Sequence, residues 1–240
     1  MEKSKSAIAS HLSLWAGLLL GVVAQLVHAD EFVPFRPDLP AGTKCKIEVS
    51  LLHPTQAAVG MYEVQLRSNK MQKWSAAKLD AYMRGKVAPV VVGPGNLVYL
   101  LDHHHLARVL ADTKLSPTLY AVVKGSHAHL AARDFWKLMT EQHWVFLLDE
   151  AGHELKDPSQ LPTAIRDMRD DPYRSLAWMV REQGGYNLSG AFFAEFQWAN
   201  YFRHRIPFET TPAGYGQATA AALKISHDPA AKDLPGFIAP

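Results

Sequence analysis

Three consecutive histidines, His103, His104 and His105, follow Asp102 and precede Arg108 in the run N-L-V-Y-L-L-D-H-H-H-L-A-R-V-L from Asn96 to Leu110. Imidazole changes charge nearest to neutral pH, so such a cluster suits proton transfer. His104 and Arg108 are four residues apart, which on a helix puts a proton-transfer group and a fixed guanidinium on one face. That pairing fits phosphoryl or phosphodiester chemistry, where charge on the non-bridging oxygens has to be stabilised. Successive helix residues point about 100° apart, so the three rings are not expected to converge on one metal ion. His127 and His129 form a second pair, H-x-H, read as exposed loop histidines with a metal pair as the alternative.

The elements that position these residues can be read around them. Leu97 to Leu101 is a short, almost wholly apolar run after the turn Gly93-Pro94-Gly95-Asn96, which predicts a buried strand. His104 to Ala111 carries apolar residues at helical spacing. Asp102 is expected to be the N-cap, its carboxylate accepting from the N–H of His104 or His105. Strand, cap and helix would gather free N–H groups and the positive end of the helix dipole beside the histidines, a setting suited to an anion. Asp102, His103, His104 and Arg108 are accordingly the expected phosphate-binding residues, with His103 the most superficial.

Upstream, Asp30 to Thr43 reads as an extended leader and Lys46 to Leu52 as a first strand. Ala57 to Arg67 reads as a turn with a short helix, Met71 to Arg84 as one helix and Val87 to Val92 as a strand. Downstream, Thr118 to Lys124 is a strand, and Ala132 to His143 and Asp171 to Gln183 are helices, the latter with Asp171 as N-cap and Pro172 at its first position. Asp171, Arg174 and Arg181 mark a helical extension, and Arg174 reads as a salt-bridge residue of the domain interface, with a place lining the site as the alternative. Ser189 to Arg203 is aromatic on nearly every side, which predicts a helix buried between layers. From Pro207 the chain is Pro, Gly and Ala with few large apolar residues, read as a loose tail apart from Thr219 to Ile225.

A strand ending in Asp-His-His-His and opening a helix resembles the ParB/sulfiredoxin fold, and more closely its branch of ParB-like nucleases. H-P-T-Q at His53 to Gln56 resembles the start of the ParB box, and A-P-V-V-V at Ala88 to Val92 its central strand. D-D-P-Y-R-S-L-A at Asp170 to Ala177 and F-x-E-F-x-W-A from Phe193 to Ala199 resemble that branch's helical extension. Two departures stand out: the family's usual glycine is His103 here, and the arginine that often follows the second histidine is Leu106. The resemblance implies an α/β fold of the α+β type, a small mixed-sheet core with a C-terminal helical extension. It implies His104 and His105 as catalytic residues. It adds Glu63 as the carboxylate that relatives with phosphotransferase activity keep near the phosphate. No cofactor is specified, although a divalent metal is compatible with Glu63 beside histidines. The likeness to sulfiredoxin does not reach its catalytic cysteine, whose place a histidine takes. Cys45 is the only cysteine, so there is neither an intrachain disulfide nor a Cys-rich metal site.

Residues 1–29 have the pattern of a secretory signal: Lys3 and Lys5, an apolar stretch from Leu12 to Val27, and the small-x-small site Val27-His28-Ala29. Cleavage is expected after Ala29, which would leave no stable membrane insertion and place the protein in the periplasm or outside the cell. Without Glu2, Lys3 and Lys5 the net charge falls from +2 to +1, too balanced for bulk electrostatic coating of nucleic acid. The expected organisation is a leader over residues 30–46, the core over 47–131, a helical extension packed on it over 132–206, and the loose tail over 207–240. The expected function is an exported nuclease or phosphodiesterase acting on nucleic acid or another phosphate-containing ligand held at the start of the helix after Asp102. The alternatives are a non-catalytic binding protein for a small anion or an envelope partner, and a metal-dependent hydrolase using the histidines.

Overall fold

The computed structural model describes Glu31 to Leu188 and Gly190 to Ala239; the expected secretory signal lies outside the described residues. The first strands come earlier than the sequence alternation suggests. The leader already pairs, as β1 (Val33–Pro34) lies parallel to β2 (Lys44–Glu48), and Cys45 and Ile47 of β2 enter the core. A 3-10 turn at Val49–Leu51 divides β2 from β3 (Leu52–Pro54), so the run expected as one strand is two. β4 (Ala58–Val59) leads into α1 (Met61–Met71) and α2 (Ala76–Arg84). The helix expected over Met71 to Arg84 therefore starts five residues later, because Ser75 caps α2 through its side chain on the Lys78 N–H.

β5 (Ala88–Val92), β6 (Val98–Leu100), α3 (His104–Thr113) and β7 (Thr118–Ser126) complete the sheet half. The six-stranded sheet has the order β1-β2-β7-β5-β6-β3 and is mixed: β7 runs parallel to β5, and β6 antiparallel to β5 and parallel to β3. Successive strand residues point to opposite faces, which explains the unbroken apolar runs. Val90, Val98 and Leu100 face a core shared with Leu106, Val109 and Leu110 of α3. Val91 and Tyr99 face a second core with Phe135 and Met139 of α4 (Ala132–Glu141).

After a long connection, β8 (Arg169–Asp170) pairs parallel with β4, in the register Ala58 to Arg169 and Val59 to Asp170. α5 (Pro172–Glu182), α6 (Ala194–Arg203) and α7 (Pro212–Ser226) follow. Asp171 caps α5 through the Tyr173 N–H and also takes a 2.7 Å bond from Arg203 Nη2 of α6. The loose tail is corrected here: α7 is a 15-residue helix whose Tyr215, Ala218 and Ala222 are buried. Its small residues do not signal a missing core; they let α7 lie close against α5. Tyr215 stacks on Tyr62 of α1 with ring centroids 4.1 Å apart. The aromatic helix is also corrected, since the helix begins only at Ala194. Trp198, Tyr201 and Phe202 are buried, whereas Phe192 is 60% exposed.

Replacing Tyr215 with Ala should cost about 3 kcal/mol through the cavity it leaves. The thermal midpoint should fall by roughly 10 °C. An unchanged midpoint would mean that α7 contributes nothing to the folded unit.

Candidate functional site

The two histidines at the start of α3 are held by the backbone of the segment before α1. Thr55 donates its N–H to His104 Nε2 at 3.2 Å, and Gly60 donates its N–H to His105 Nε2 at 2.9 Å. His104 is buried, and burial, opposed by Asp102, pushes its pKa down to about 3. His105 is 12% exposed, and burial with the nearby charges of Arg174 and Arg67 keeps it neutral too, its pKa well below the usual value. His103 opens the helix with φ 64°, the left-handed region that favours glycine. That conformation accounts for the glycine usual in the resembling family.

Asp102 is one residue too early to cap. Its Oδ1 takes the His103 N–H at 2.6 Å, and no side chain caps the helix, contrary to the expectation from sequence. Arg108 is likewise corrected. Its Nε bonds Asp112 at 2.8 Å and its Nη1 bonds the Met168 carbonyl at 2.7 Å, so it ties α3 to the segment before β8, away from the other candidates. His127 is half-buried near Trp144 and His129 is exposed. Among the described residues no group of three or more His, Cys, Asp or Glu side chains is arranged to hold a metal ion.

Glu63 joins the histidines from α1. It is 2% exposed; Arg67 Nη2 lies 2.6 Å from its Oε1, and its Oε2 lies 3.3 Å from His105 Nε2. That nitrogen already accepts from Gly60, so an ionised Oε2 would face a lone pair with no donor. Burial raises the Glu63 pKa despite Arg67, Arg174 and Arg181, which makes its carboxylate a stronger base. The arrangement depends on a close approach of α1 to α5: Ser175 Oγ accepts the Glu63 N–H at 3.1 Å, and a Cβ on Gly60 would come within 2.5 Å of Ser175.

These residues open onto a cavity of about 560 Å³. Glu63, Arg67, Asp102, His103, His104 and His105 line it together with Arg174, Arg181 and Glu195, and the exposed Lys86 and Lys124 also border it. Phe192, Phe193, Phe196 and Trp144 also border it. Arg174 is 4% exposed and its guanidinium lies 3.4 Å from the Phe196 ring centre. Burial acts against its charge, opposed by Asp171 and Glu63. Its Nε and Nη1 are buried with no hydrogen-bond partner, as are Arg67 Nε and Glu63 Oε2. Leaving such groups unpaired is costly, and around a cavity they mark where a ligand's oxygens would bond. Arg67 is not singled out from sequence, and Arg181 and Glu195 read only as parts of the helical extension. The signal was available: Arg67 is four residues after Glu63, and Arg181 two helical turns after Arg174.

The family model described as "Putative ParB-like nuclease" matches residues 45–204. The crystal structure of protein Atu1540 from Agrobacterium tumefaciens is 31% identical to this chain, with a TM-score of 0.73; the match covers 82% of this chain and 98% of that one. No curated protein matches.

His104 is kept neutral in the fold, whereas unfolded it would titrate near 6.5. The folded chain therefore binds fewer protons, and this contribution to stability is full above 6.5 and is lost as pH falls towards about 3. Glutamine can still accept the Thr55 N–H but does not titrate. The difference in melting midpoint between the wild type and His104→Gln should thus shrink between pH 7 and pH 4. A constant difference would show that His104 is not held neutral.

Proposed function

Because the chain belongs to the ParB-like nuclease family, we propose that the cavity binds a phosphodiester and hydrolyses it. The observation that carries this reading is the buried Arg174 guanidinium, with Nε and Nη1 unpartnered, lining the same cavity as the unpartnered Oε2 of Glu63. Arg174 and Arg67 would donate to the non-bridging oxygens, where charge builds up as the phosphorus is attacked. The first turn of α3 adds backbone N–H groups at the positive end of the helix. Glu63, its carboxylate paired with Arg67 and made a stronger base by burial, would take a proton from the water that attacks the phosphorus and pass it to the leaving oxygen as the ester bond breaks. His105, its Nε2 already accepting from Gly60, would border that carboxylate without carrying the proton. Export of the protein, with nucleic acid or another phosphate ester outside the cytoplasm as substrate, belongs to the same proposal.

A second reading has an observation of its own. His104 and His105 both commit Nε2 to backbone donors, leaving Glu63 as the main proton-transfer group, which favours a protein that binds a phosphate ester without cleaving it.

Glu63→Gln should reduce turnover of bis(4-nitrophenyl) phosphate about a hundredfold while binding is retained. Arg174→Gln should abolish binding. Measured turnover, titration calorimetry and melting midpoints on both variants decide between the readings. If the folded wild type binds the ester but never cleaves it, the binding reading replaces the catalytic one. Full turnover in Glu63→Gln would remove Glu63 from the chemistry.

A further inference from the structure

We infer that Glu195 sets the charge of the ligand, so that the cavity takes singly charged phosphodiesters in preference to doubly charged terminal phosphates; this rests on the phosphate-ester reading above. Glu195 lies in the first turn of α6, and its carboxylate spans two guanidiniums of α5. Its Oε1 bonds Arg181 Nη1, and its Oε2 is 3.5 Å from Arg174 Nη2. Arg181 is met a second time, by Glu182 Oε1 at 2.9 Å. Arg67 is engaged by Glu63. Of the three guanidiniums lining the cavity, Arg174 therefore keeps the most unanswered charge, with two free donor atoms and only a long contact to Glu195.

One unmatched guanidinium suits one negative charge. A phosphodiester carries one; a terminal phosphate carries nearly two at neutral pH. The second charge would stand across Arg174 from the Glu195 carboxylate. In a partly buried cavity, like charges at that range repel far more strongly than in water. Glu195 cannot be relieved by a shift of Arg174, whose guanidinium is packed on the Phe196 ring at 3.4 Å. Lys86 and Lys124 are exposed, and water and salt screen them, so they do not supply the missing inner charge. Glu195 thus acts as a repulsive element against the wrong ligand, leaving the right one's contacts unchanged.

The test compares methyl 4-nitrophenyl phosphate with 4-nitrophenyl phosphate, which carry the same single aryl group and differ by one methyl group and in charge. Dissociation constants at pH 7.5 are measured for the wild type, Glu195→Gln, Glu195→Ala and Arg174→Gln. The wild type should bind the diester more tightly. Either Glu195 variant should shift the preference towards the monoester by about tenfold. Arg174→Gln should lose both ligands. A wild type that prefers the monoester, or a preference unmoved in a folded Glu195 variant that still binds, overturns the inference and leaves the phosphate site standing. If the folded wild type binds neither ester, the phosphate-ester reading itself falls and this inference with it.

Discussion

Two hydrogen bonds, from the Thr55 and Gly60 N–H groups to His104 and His105, join the start of α3 to the segment before α1. Everything around the cavity takes its position from them. They fix the first turn of α3 against the strand edge and bring Glu63 beside His105. They also require Gly60, because any larger residue would run into Ser175 of α5. A neutral imidazole is needed for each bond, since a protonated ring cannot accept at Nε2. Burial supplies that neutrality, so the packing that shuts water out also keeps the stitching intact.

The same exclusion of water shapes the chemistry. Among buried groups a charge is favoured only where another answers it. Arg67 has Glu63, Arg181 has Glu195 and Glu182, and Arg203 has Asp171. Arg174 is answered only weakly, and Glu63 holds an oxygen that nothing bonds. An electropositive interior with one carboxylate poised near a neutral histidine is a setting in which a phosphate ester could be held and water activated against it. The exposed Phe192 at its border leaves an apolar surface beside the charged one.

The local parts of this arrangement were legible in the sequence, and the distant ones were not. Leu97 to Leu101 and His104 to Ala111 read correctly because an apolar run and a helical period are properties of neighbouring residues. Asp171 and Pro172 announced α5 for the same reason. The cap at Asp102 misled, because its geometry turns on one backbone angle: His103 enters the left-handed region and shifts the helix start by a residue. Arg108 misled because a shared helix face does not say what lies opposite, and opposite it lies the Met168 carbonyl. Arg174 reads first as a salt-bridge residue and only second as one lining the site, since its role depends on α5 meeting α1 across more than a hundred residues of chain. The tail misled through composition: alanine and glycine read as a weak core, yet they are what lets α7 come close.

The stack of Tyr215 on Tyr62 carries a consequence for the order of events during synthesis. Glu63 sits on α1, where its neighbour Tyr62 stacks on Tyr215 of α7. Two helices that the ribosome makes roughly 150 residues apart must meet before the acid has its final surroundings. Non-local pairing of this kind is slow and late. A growing chain can therefore form its sheet while the cavity is still unfinished, because α5 and α6, which supply Arg174, Arg181 and Glu195, are made later.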